Sequence, residues 1–398
     1  MARDQCPACR SRSLTAIYRL DSIPVQSCIL LDSEEEARNF PRRPLELRFC
    51  DQCGLVFNSE FDLSMVDYAS ATEESQHFSG TFNRFALSLI DDIVENDDVA
   101  GARILEIGCG KGDFLQALVE KTGGRGLGID PGFIPERIKT AGDQDIEFRK
   151  EYFDPDKIEL VPDYVVCRHT LEHIPEVGYF MVDIARAMRG NSRAGIFFET
   201  PDVARVLDEG AFWDIYYEHC SYFTLGSHAR LFRRMGFGIS RLYLAYDGQY
   251  IIQHAQHRDT RPLPEENDLD RVRGLAARFP AQVDRMRSYW RDFVTEKSAL
   301  GQSVAIWGGG SKGVSFLTTD GLDVHVDQVV DINPHKLGRY LPGTGLRVSS
   351  PEDLRQSPPD AVIVMNPVYR SEIAQQLGGM GITPDIYTPE SIETGIVV

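Results

Sequence analysis

The 398-residue chain is short of cations: 42 lysines and arginines stand against 60 aspartates and glutamates, a formal net charge of -18 at pH 7. So acidic a chain repels a phosphate backbone, which basic patches bind by releasing counterions, and nucleic acid is excluded as a partner. Long apolar runs are lacking too. No stretch of about eighteen apolar residues is present to span a bilayer, and the opening MARDQCPACR has no apolar segment of the secretory type. Neither a membrane partner nor export is expected, and the chain is placed in the cytoplasm, as a monomer or weak homodimer. Cysteine is scarce, with eight residues. Reducing surroundings and a chain long enough to need no covalent staples exclude a disulfide framework, so the spacing of the cysteines decides their use. No convincing tandem repeat is found.

What is present alternates between strand and helix patterns. FNRFALSLIDDIV is amphipathic at helical spacing and leads into the apolar strand ARILEIG. GDFLQALVEKT (helix), GLGID and DYVVCRH (strands), VGYFMVDIARAM (helix) and AGIFFETP (strand) follow, the signature of a doubly wound parallel sheet. An aromatic-rich insertion, FWDIYYEHCSYF, precedes the helix SHARLFRRMGF and the strands RLYLAY and QYIIQHA. A polar helical stretch bridges to SVAIWGGGSKG, which opens a second strand, glycine turn and helix. The expected organisation is α/β: a small module over 1–65, a large doubly wound domain over 66–262, and a bridging helix with a second, Rossmann-like domain over 263–398.

Cys6-Pro-Ala-Cys9 and Cys50-Asp-Gln-Cys53 are two Cys-x-x-Cys pairs. Such spacing lets both thiolates of a pair reach one ion, and two pairs complete tetrahedral zinc with no open position, a structural rather than catalytic Zn2+. Cys28, Cys109, Cys167 and Cys220 lack this spacing and read as small core residues.

ILEIGCGKGDF sets Gly108, Gly110 and Gly112 between a strand and a helix, where backbone passes close to a ligand. Glycine turns of this kind also serve nicotinamide enzymes. Glu106, at the strand end, stands where a carboxylate offsets a sulfonium and an amino group. Asp130, closing the next strand, can accept both ribose hydroxyls. CRHTLEHIPE, with His169, adds a polar turn at a later strand end of the type that follows the glycine motif in class I methyltransferases. S-adenosylmethionine is the cofactor these features favour.

In the insertion, Tyr216, Glu218 and His219 gather a phenol, a carboxylate and an imidazole within four residues. Such groups can remove a proton beside a carbonyl and hold the enolate that results. His173 is a second candidate. WGGGSKG supplies Gly309, Gly310, Ser311 and Lys312; no Ser or Thr follows Gly-Lys, so it is not a Walker loop, although its amides and Lys312 can cradle a diphosphate. Asp331 sits where a ribose-binding carboxylate would. A nucleotide-sugar platform, a structural fold without ligand and a nicotinamide site all remain open for this unit.

Taken in order, the cysteine pairs, EIGCGKGDF, LEHIPE, IYYEHCSYF, GGGSKG and DINPHKLGRYLPG resemble the nucleotide-sugar C-methyltransferases of deoxysugar biosynthesis over nearly the whole chain. The resemblance implies a nucleotide-linked 4-keto-6-deoxysugar methylated beside its ketone, with His219 as base, Tyr216 and Glu218 in the active-site stretch, His173 near the cofactor, and Tyr68 brought in from just after the zinc module. Two departures stand where substrate contacts are expected: IPVQSCIL replaces a proline, leucine, alanine, asparagine segment, and Met365-Asn366 replaces Trp-Asn. O- or N-methylation of another small polar substrate, a nicotinamide-dependent sugar reductase and a nucleotide-binding module are the competing readings.

Overall fold

The computed structural model describes residues 3–70, 72–138 and 145–390. β1 (Leu14–Pro24) leads through the short helix α1 (Glu34–Arg38) to β2 (Arg42–Cys50), on which β1 and β3 (Val56–Asn58) both lie antiparallel. β1 has register irregularities between Ala16 and Tyr18 and between Leu20 and Ile23, so it carries no clean alternation for sequence to display. α2 (Gly80–Asn96) starts where the Ser79 side chain accepts from the amides of Thr81 and Phe82, and it buries the stripe Phe82, Ala86, Leu89, Ile90 and Ile93.

The central sheet follows. Its elements are β4 (Arg103–Ile107), α3 (Asp113–Thr122), β5 (Arg125–Ile129), β6 (Ile146–Arg149), β7 (Tyr164–Arg168), α4 (Val177–Ala187), β8 (Gly195–Pro201), α5 (Val203–Glu209), β9 (Ser221–Tyr222), α6 (Leu225–Arg234), β10 (Gly238–Ala245) and β11 (Tyr250–Gln256). Strand order is β10-β11-β8-β7-β4-β5-β6, parallel from β8 to β6, with β11 antiparallel on β8 and β10 antiparallel on β11. This is the class I methyltransferase arrangement. β9 is the exception: it leaves this domain and pairs with β3, so the insertion supplies the fourth strand of the N-terminal sheet.

α7 (Leu269–Ala299) buries Val272, Leu275, Ala276, Phe279, Val283, Met286, Trp290 and Val294 at helical spacing. Through it, β1, α5 and the next sheet share one apolar core. That sheet comprises β12 (Val304–Trp307), α8 (Ser311–Thr318), β13 (Gln328–Val330), β14 (Val348–Ser349), β15 (Ala361–Val364), α9 (Arg370–Met380) and β16 (Asp385–Tyr387), all parallel in the order β14-β13-β12-β15-β16. Among the described residues no helix is long and apolar enough to cross a membrane.

In open parallel sheets ligands bind beyond the carboxyl ends of the strands where the strand order reverses. The reversal falls between β4 and β7 in one sheet and between β12 and β15 in the other. Both places open onto the same cavity.

Candidate active site

A cavity of about 670 Å³ is lined by the turn after β4, the loop after β7, the insertion, the turn after β12 and Asn366 beyond β15. Its first half is built on glycines. Gly108 has φ +72°, and a Cβ there would lie 1.9 Å from Thr170 Oγ1, so the β4 turn and β7 loop close up only around a hydrogen. Asp130, at the end of β5, accepts from the Gly110 amide (2.9 Å) and the Gly132 amide (2.6 Å). A carboxylate has about four acceptor sites, so capacity remains for ribose hydroxyls. Glu106 lines the cavity with Oε2 buried and unpartnered among the described residues. Burial pushes its carboxyl up to about 8, against the pull of Arg168. An orphaned buried acceptor of this kind suits a cationic ligand group, and the residues fit S-adenosylmethionine. Gly112 does not face the cavity; it packs against Phe148 and Ile138 at the start of α3.

Behind this half lies a buried ionic group. Glu199 accepts from Arg168 Nε at 2.5 Å and lies 3.1 Å from His169 Nε2. Burial opposes charge on His169, but Glu199 and Glu172 overcome it and lift the imidazole to about 9, so it is cationic at neutral pH. His169 has φ +47°, a left-handed backbone that these two carboxylates help to hold.

The second half collects the candidate acid/base residues named from the sequence. The ring of His219 stands edge-on between His173 and Tyr216, with centroids 4.7 Å away in each case. Neither of its nitrogens has a hydrogen bond within the described structure. Burial, with His173 beside it, lowers His219 to about 3 and keeps it neutral, while Glu172 pulls the other way. His173 Nδ1 lies 3.2 Å from the Glu218 carbonyl, and the Tyr68 hydroxyl is 3.3 Å from both. Tyr68, placed by the segment between the N-terminal sheet and α2, therefore does reach this cluster. Glu218 turns its carboxylate toward Ser27, accepting from its amide at 2.9 Å and from its hydroxyl, and burial raises its pKa. The Tyr216 hydroxyl donates to Asp214 at 2.8 Å, which uses its single proton.

The turn after β12 repeats the plan of the turn after β4. Asp331 accepts from the Gly309 amide (2.9 Å) and the Asn333 amide (2.8 Å), as Asp130 does from Gly110 and Gly132. Gly310, Ser311 and Lys312 line the cavity, and Ser311 Oγ lies 2.7 Å from Ser27 Oγ. Lys312 Nζ lies 3.1 Å from Asp214 and 3.0 Å from Gln249 Oε1, and Lys336 Nζ is 3.4 Å from Asp331. Each cation at this end already has a carboxylate.

Ser27, Glu172, Asp214 and Lys336 are site residues that sequence reading passed over. Asp214 left one signal: it is an acid set among the apolar and aromatic Phe212, Trp213 and Ile215, all buried. Ser27 left none.

The cysteine quartet comes together at the edge of the N-terminal sheet. All four Sγ atoms lie within 4.8 Å of one another, with Cys6–Cys53 at 3.6 Å and Cys9–Cys50 at 3.5 Å. Sulfurs on one tetrahedral zinc stand roughly 3.8 Å apart, given Zn–S bonds near 2.3 Å, so the donor set fits that ion. All eight thiols are free of disulfides.

Comparison with known proteins agrees with this anatomy. Residues 78–241 match the family model described as "Methyltransferase domain", and residues 255–382 match "C-methyltransferase C-terminal domain". The chain is 25% identical over 393 residues to the C-methyltransferase NovU of Streptomyces niveus, covering 93% of this chain and 91% of that one. Among solved structures, a S-adenosylmethionine-dependent methyltransferase of Mesorhizobium loti aligns at 17% identity and TM-score 0.35, over 44% of this chain and all of its own. Magnesium protoporphyrin IX methyltransferase of Synechocystis with bound S-adenosylhomocysteine aligns at 16% identity and TM-score 0.34, over 45% of this chain and 84% of its own. The chain thus carries a methyltransferase domain followed by a match to a C-methyltransferase C-terminal domain, and it is a S-adenosylmethionine-dependent methyltransferase.

Proposed function

We propose that the enzyme methylates carbon beside the ketone of a nucleotide-linked keto-deoxysugar. The observation that carries the reading is His219: a half-buried, neutral imidazole with no hydrogen-bond partner among the described residues, facing a cavity shared by both glycine turns. A free imidazole lone pair facing the cavity can accept a proton from carbon. Glu172 is the carboxylate that would balance the imidazolium formed. Tyr216, fixed by Asp214, bears on His219 through its ring and orients it. Glu218, tied to Ser27, and Tyr68 with His173 complete the wall of the pocket against which an enolate would be held. Bound S-adenosylmethionine supplies the methyl group that the carbanion takes. Glu106, Asp130, His169 and the glycines Gly108, Gly110 and Gly112 are assigned to its binding or to shaping its turn. Holding two reactants in place can contribute about 7 to 11 kcal/mol toward the barrier, and a cavity closed by two domains provides that hold.

Gly309, Gly310, Ser311, Lys312 and Asp331 are assigned to the nucleotide portion. A diphosphate entering there exchanges the carboxylate partners of Lys312 or Lys336 for its own oxygens. Cys6, Cys9, Cys50 and Cys53 hold a structural Zn2+. The test is mass spectrometry of protein incubated with S-adenosylmethionine and nucleotide-linked 4-keto-6-deoxysugars beside their non-keto parents. A one-methyl gain confined to the keto compounds supports the reading; gain on the parents replaces it with transfer to oxygen or nitrogen.

A further inference from the structure

Glu172, His173 and His219 have a feature that proton abstraction does not require. One donor atom from each lies within 4.8 Å of the other two. Two donors on a tetrahedral zinc span roughly 3.4 Å, so a modest closing of three side chains brings them onto one ion. Their outer partners are already set for this. The Glu218 carbonyl, 3.2 Å from His173 Nδ1, can accept a hydrogen bond from that nitrogen in the tautomer that leaves Nε2 free, the arrangement that orients a metal-bound histidine. Glu172 keeps Oε1 3.6 Å from His169 Nδ1, while Oε2 is buried with no partner among the described residues. Neither nitrogen of His219 is hydrogen-bonded among the described residues. Two imidazoles and one carboxylate with space beside them form the donor set of an open zinc site, and the cavity provides the space.

We propose that Glu172, His173 and His219 bind a divalent transition-metal ion, Zn2+ above all, at a second site distinct from the cysteine quartet, and that the ion inhibits the enzyme by occupying the lone pair of His219. The binding claim stands on geometry; the inhibition rests on the reading of His219 as base. An ion here and a proton-accepting His219 are mutually exclusive states of one pocket.

The two sites differ in ligand chemistry, which makes them separable. Full-length protein carrying zinc at the cysteines is titrated with Co2+, whose absorption at a nitrogen and oxygen site lacks the thiolate charge-transfer band of a cysteine site. A second ion per chain, with no thiolate band, is the expected result. Glu172→Gln should lose it while retaining the cysteine-bound ion. Turnover should fall in step with occupancy as Zn2+ is added and return when a mild chelator removes it. Failure of the wild-type protein to take up a second ion overturns the site. An ion that binds but leaves turnover unchanged, or raises it, overturns the inhibition, the first by removing His219 from the reaction and the second by making the ion a participant. Stoichiometry is read without turnover, so loss of the base assignment leaves the binding test intact.

Discussion

Lys312 Nζ, on the first turn of α8, lies 3.1 Å from Oδ2 of Asp214, whose other oxygen accepts the Tyr216 hydroxyl at 2.8 Å. Arg205 completes the group. One buried carboxylate thus ties the glycine turn of the C-terminal sheet to an aromatic ring of the acid/base cluster. These three partners hold Asp214 far below the usual carboxylate range despite its burial. Asp214→Asn takes from Lys312 its ion-pair partner and leaves Arg205 paired with Glu209, and breaking a buried pair in this way costs about 3 to 5 kcal/mol. Lys312→Met leaves Arg205 in place and should cost less. Urea unfolding of the two variants checks the order, and a larger loss for Lys312→Met refutes the account.

His219→Ala should bind S-adenosylmethionine as the parent does, because the ring makes no bond to the cofactor turn. Turnover should drop by on the order of a hundred- to ten-thousand-fold, the usual contribution of a general base. Calorimetric binding and single-turnover rates measure the two effects separately. A variant with ordinary turnover removes His219 from the reaction.

Cofactor binding should release a proton near neutral pH. The groups facing Glu106 are Arg168, Asp130 and Asp113, and with burial they leave its carboxyl at about 8, mostly protonated at pH 7. A cationic ligand beside it lowers that value. The bound state then holds fewer protons than the free one, so affinity should rise with pH up to about 8 and level off above it. Calorimetry in buffers of different ionisation enthalpy reads the proton directly, and Glu106→Gln should abolish it.

Removing zinc should reach the active site from the edge of the molecule. β9, two residues past His219, is held by β3, and β3 pairs with β2, which ends at Cys50. Chelation, or Cys50→Ser, should loosen this sheet and lower turnover more than it lowers affinity for S-adenosylmethionine, whose turn sits on the central sheet. Metal analysis beside activity and cofactor titration tests the coupling; unchanged turnover in metal-free protein disproves it.

Local order along the chain was enough to determine much of this enzyme. The turn at Gly108 to Gly112, the two Cys-x-x-Cys pairs and the helical stripes of α2 and α7 each depend on residues within a few turns of one another, and spacing records them directly. That Tyr216, Glu218 and His219 are near neighbours was visible for the same reason. Only tertiary structure decided that the two glycine turns open on one cavity, that β9 crosses into the N-terminal sheet, and that Ser27, Glu172 and Asp214 meet the acid/base cluster. Ser27 and Glu218 are 191 residues apart. No periodicity encodes such a contact, because it is set by which sheet faces pack around α7 and by where each parallel sheet reverses its strand order.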